Sequence, residues 1–165
     1  AGLKSAPGSP DVAIAPQGTS ATICLSDNAK GRQVDIVALL GKDDRFERVV
    51  DGPDIAELGL NPDGDIDIVV IGKISEDESA DGMPGTGIAF QGDLKIPNNV
   101  GCGQHGGLGR YEQSPFLICV GAGFAAGQPI TTKTSVIDIA PTALNHLGES
   151  LGGMDGRALQ SLTAL

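Results

Sequence analysis

Apolar and polar positions alternate along "DVAIAPQGTSATICLS" (Asp11 to Ser26), and the break at Gln17-Gly18 divides the stretch into two short strands around a turn or bulge. The spacing then becomes helical: in "NAKGRQVDIVALLGKD" Val34, Val37, Ala38 and Leu40 line up on one face, and Gly41 followed by Lys42 stops the run. "RFERVVDG" alternates into a strand, "PDIAELGL" opens a short helix with Pro53 in its first turn, and "IDIVVIGKI" is a β-branched strand. The order β-β-α-β-α-β over Asp11 to Ile74 predicts a small α+β lobe with one mostly antiparallel sheet.

From Ser75 to Gly109 the pattern fades. "SEDESADGMPGTG" is acidic and irregular, and so long a stretch inside a compact domain predicts a functional or flexible loop. "SPFLICVGAGF" then reads as a continuous apolar strand ending in glycines, as in a strand buried on both faces of an α/β sheet. "TTKTSVIDIAPTALNHLG" predicts a helix with Thr134 or Ser135 as its N-cap, apolar positions at Val136, Ile139, Ala143, Leu144 and Leu147, and Gly148 as its end. Pro141 should bend that helix or mark a break near Ala140. "MDGRALQSLTAL" adds a turn and a last short helix. The chain thus divides into a tail or tag scar (1–10), a small α+β lobe (11–74), an acidic and Gly/Pro-rich loop (75–100) and a C-terminal strand-helix region (101–165), α/β in class.

Composition narrows the functions. A chain of 165 residues makes one domain or two small lobes and buries roughly 70 % of its unfolded surface without needing disulfides. A formal charge of -10 excludes nucleic acid and anionic membrane as partners held by bulk electrostatics, and leaves room for a cationic ligand or bound metal ions. No apolar stretch is long enough for a membrane span, and "AGLKSAPGSP" lacks the apolar segment of a signal peptide. Cys24, Cys102 and Cys119 form no C-x-x-C pair and read as buried or half-buried thiols of a reducing compartment, which leans toward the cytoplasm without fixing the location.

Candidate chemistry centres on His105. Gly103, Gly106, Gly107 and Gly109 strip side chains from around its imidazole, which suits close approach by a ligand or metal. Cys102 is near in sequence, but two donors do not make a tetrahedral site. His146 ends an apolar helix and reads as a partner of the helix dipole. "KDDR" is a solvated turn, "NPDGDID" matches a calcium-loop pattern only superficially, and "SEDESADG" reads as a solvated loop with a loose cation site as the alternative. "VGAGFAAG" lacks the helix and the later acid of a dinucleotide fingerprint, and no serine lies in a G-x-S-x-G elbow.

Three ordered motifs, "HGGLGRYEQSPFLICVGAGF", "SVIDIAPTALNHLG" and "MDGRAL", resemble the C-terminal part of the alkaline phosphatase superfamily, in its type I phosphodiesterase and nucleotide pyrophosphatase-like branch. "APQGTSATICL" and "GDIDIVVIGK" resemble the α+β insertion of that branch, so the likeness runs over most of Asp11 to Leu159. It implies that 101–165 is the C-terminal strand-helix part of an alkaline phosphatase-like sheet and that His105 is the last metal ligand in chain order. It also implies a Thr or Ser nucleophile and two divalent metal ions of the zinc type in the full-length enzyme. This chain shows neither the nucleophile motif nor the Asp-His pair that holds the metals, so no catalytic residue is assigned and no cofactor is expected in this chain alone. Two metals clamp the attacking and leaving oxygens of an in-line displacement, and one imidazole can do neither.

The expectation is therefore the C-terminal portion of a metal-dependent hydrolase of phosphate diesters or monoesters, inactive alone. The full-length enzyme would take a phosphate or sulfate ester as substrate. The rivals are a noncatalytic acidic binding module and a sulfatase- or phosphomutase-type relative. Self-association through an open sheet edge is a further expectation.

Overall fold

The computed structural model describes residues 4–6, 8–90, 101–121, 123–127 and 129–162, which form two compact units, Ala1–Pro115 and Phe116–Leu165. The chain mixes helices with antiparallel sheet, as the patterning predicts.

In the first unit β1 (Val12–Pro16) and β2 (Ser20–Leu25) make a tight hairpin. Gly18 supplies the positive φ of its turn, and the Gln17 N–H closes the turn on the Ser20 carbonyl at 2.8 Å. A one-turn helix α1 (Asp27–Lys30) and α2 (Gln33–Leu40) lead to β3 (Phe46–Asp51), a 3₁₀ segment (Gly52–Leu58) and β4 (Ile68–Gly72). The sheet order is β1-β2-β4-β3, with every neighbouring pair antiparallel, so β4 inserts between two earlier strands.

All five residues of β4 are buried because each face of the strand meets its own core. Ile68 and Val70 join Ala21, Ile23 and Leu25 of β2 against Ile36 and Leu40 of α2. Val69 and Ile71 face the other way and pack with Val50 and with Ile55 of the 3₁₀ segment. The two-residue alternation of a strand thus serves two hydrophobic layers at once. The face of α2 differs from the expected one: Ile36 and Leu40 are buried, whereas Val34 and Ala38 are exposed. A helix of two turns gives too few repeats for its apolar residues to single out one stripe.

The stretch after Ile74 is more regular than its composition suggests. β5 (Ile74–Glu78) and β6 (Pro84–Gly87) pair as a second, two-stranded antiparallel sheet around a turn at Ser79–Met83. Both strands are largely exposed, so no apolar alternation marks them in the sequence. At the other end of the unit, Ser5 and Ser9 hydrogen-bond the buried Asp11 carboxylate, which also pairs with Arg32 at 2.9 Å. The Ser9 hydroxyl above all holds that carboxyl well below the usual carboxylate range.

In the second unit a 3₁₀ turn (Val136–Asp138) runs into α3 (Ile139–Leu147), and a last 3₁₀ segment follows at Leu159–Leu162. Ser135 caps the entry with a reciprocal capping box through Asp138, and Gly148 closes α3 in the left-handed conformation. The irregularity expected at Pro141 is met by the change from 3₁₀ to α at Asp138–Ile139. Pro141 then falls in the first turn of α3, where its missing N–H has no intrahelical partner to lose. The apolar run "SPFLICVGAGF" does not become a buried strand: among the described residues of this unit it has no neighbouring strand, and Phe116, Ile118 and Val120 face solvent.

Ile23→Ala should cost roughly 2–5 kcal/mol in chemical denaturation, because it opens a cavity between β2 and α2. Val34→Ala should stay within about 0.5 kcal/mol of wild type. Equal losses would contradict the assigned helix face.

Candidate functional site

His105 lies in a loop, residues 101–113, that is fixed to the first unit by its backbone. The His105 carbonyl accepts the Thr19 N–H at 3.0 Å and the Thr19 hydroxyl at 3.2 Å. Thr19 in turn accepts the Gly72 N–H at 2.8 Å through its own carbonyl, so the β1–β2 turn, the end of β4 and the histidine loop meet at one residue. The Thr19 hydroxyl also contacts the Glu112 carboxylate. Glu112 gathers the loop from inside: its two oxygens accept the Gly107 and Gly109 N–H groups at 3.2 and 3.3 Å. Gln113 closes the other side by donating to the Gly107 carbonyl at 2.9 Å.

The glycines around the imidazole owe their identity to this packing. A Cβ on Gly106, whose φ is +92°, would lie 2.0 Å from the Gln17 carbonyl oxygen, and one on Gly107 would lie 2.4 Å from the Thr19 hydroxyl. A Cβ on Gly109 would meet Ile74 at 2.6 Å, and one on Gly85 of β6 would meet the Tyr111 ring at 2.5 Å. Gly101 and Gly103 open onto free space. The close approach that the glycines permit is therefore that of backbone to backbone, and it leaves the His105 side chain exposed at the surface.

Among the described residues, no three His, Cys, Asp or Glu side chains gather closely enough to hold a metal ion. Cys102 is exposed, contrary to the buried thiol expected from sequence. Glu112, the acid nearest in sequence, spends its oxygens on Thr19 and on two backbone amides. The donors present do not by themselves fit a two-metal centre, and His105 offers it one imidazole. Cys24 is half-buried in β2, where burial and the Asp67 and Asp65 carboxylates push its thiol up from its ordinary value. In "KDDR", Asp43 holds Arg45, whose hydrogen bond lowers the Asp43 carboxyl to about 2.

In the second unit the "DIAPT" and "DGR" motifs lock together. The buried Asp138 carboxylate accepts the Arg157 N–H at 3.0 Å through one oxygen and the Ser135 N–H at 2.8 Å through the other. These amides, that of Arg157 foremost, hold its carboxyl below the usual range. Thr142 donates its hydroxyl proton to the Asp138 carbonyl at 2.6 Å and accepts the Leu159 N–H at 3.0 Å. Gly156 belongs to the same joint, since a Cβ there would lie 2.1 Å from the Ile137 carbonyl oxygen.

The chain matches no known family model, curated protein or solved structure. Its site therefore rests on its own geometry. His105 is placed where sequence put it, on a glycine-rich loop, and His146 lies in the last turn of α3 near the dipole's negative end. Thr19 and Glu112 escaped the sequence reading because they meet across 93 positions; Thr142 and Arg157 lie in the quoted motifs, but their bonds across 17 and 19 positions were not legible there. The Ser135-x-x-Asp138 spacing of a capping box was the one local signal for Asp138.

Gly106→Ala should undock the histidine loop at a cost of about 1–3 kcal/mol, read as faster exchange of the Thr19 amide proton, whereas Gly103→Ala should leave that proton protected. For Asp138, the folded pKa is depressed, so its contribution to the second unit is complete above the ordinary value of 3.8 and fades as pH falls through the lower folded value. Protection of the Leu159 amide should follow that titration. Asp138→Asn should weaken the protection at neutral pH and flatten its acid dependence; an unchanged acid limb would assign the effect to another group.

Proposed function

We propose that this chain is the C-terminal part of a metal-dependent ester hydrolase of the alkaline phosphatase superfamily, acting on phosphate diesters or monoesters. One observation supports the reading above the others: the bond from Arg157 to Asp138 joins the two C-terminal motifs of the resemblance into a single structural joint.

On this reading His105 supplies one metal-binding nitrogen from a loop whose backbone is already fixed, so that little conformational freedom is lost on binding. The nucleophile and the other ligands belong to sequence outside this chain, and the substrate is a phosphate or sulfate ester. Among the described residues, no helix is long and apolar enough to cross a membrane. Self-association at an unpaired strand edge is the partner this reading adds.

The isolated chain should not turn over p-nitrophenyl phosphate, a p-nitrophenyl phosphodiester or p-nitrophenyl sulfate with zinc or manganese; robust turnover would sink the proposal. Calorimetric titration with zinc should show weak binding that is lost in His105→Ala. Equal binding by the two proteins would remove His105 from the ligand set.

A further inference from the structure

We draw no further inference here: the strongest candidate, the apolar groove of the first unit that Ile14, Ile23, Leu39, Phe46 and Phe90 line beside the charged loop 42–45, carries nothing because nothing in the structure shows what covers it.

Discussion

The hydrogen bond from a backbone N–H to a carboxylate is the interaction on which the irregular half of this protein depends. Chain that is neither helix nor sheet must still find partners for its amides, and an ionised acid is a strong acceptor for them. Asp67 takes the Leu25 N–H at 2.6 Å, Asp11 takes that of Ser5, Glu112 ties together Gly107 and Gly109, and Asp138 joins Ser135 to Arg157. A share of the negative charge is thus part of the scaffold. Acidic composition in this chain is not simply a solvated surface, and the acids that look available for chemistry are in several cases already engaged.

That engagement changes what the histidine loop means. A glycine cluster around an imidazole invites the thought of an open cradle, yet Gly106, Gly107 and Gly109 are filled by Gln17, Thr19, Glu112 and Ile74. What results is a rigid platform with one exposed imidazole. Its backbone is committed to the fold, and its side chain stays exposed at the surface.

Much of the first unit was legible in the sequence because its signals are local. Gln17-Gly18 marks a hairpin, and the β-branched run of β4 announces a strand. The capping of α3 by Ser135 and Gly148 follows from residues within one turn of its ends. The parts that escaped depend on distance or on absence. Thr19 and Glu112 meet although 93 positions separate them, and no window along the chain contains both. The hairpin β5–β6 is almost all surface, so hydrophobic alternation could not betray it. The run from Phe116 has the composition of a core strand, but composition records what a segment can bury and not whether a neighbour is there to bury it.

The placement of β4 carries a consequence for how the first unit is made. β2 and β3 are both earlier in the chain, yet only β4 joins them into one sheet. Until residues 68–72 arrive, the β1–β2 hairpin and β3 cannot be joined, and neither hydrophobic layer can close. Completion of the sheet is therefore a non-local, late event, of the kind that slows folding relative to a helical domain of the same size. A ribosome-bound chain that had not yet released β4 would expose two strand edges and two apolar layers at once, which makes this short strand the point at which the nascent protein passes from adhesive to safe.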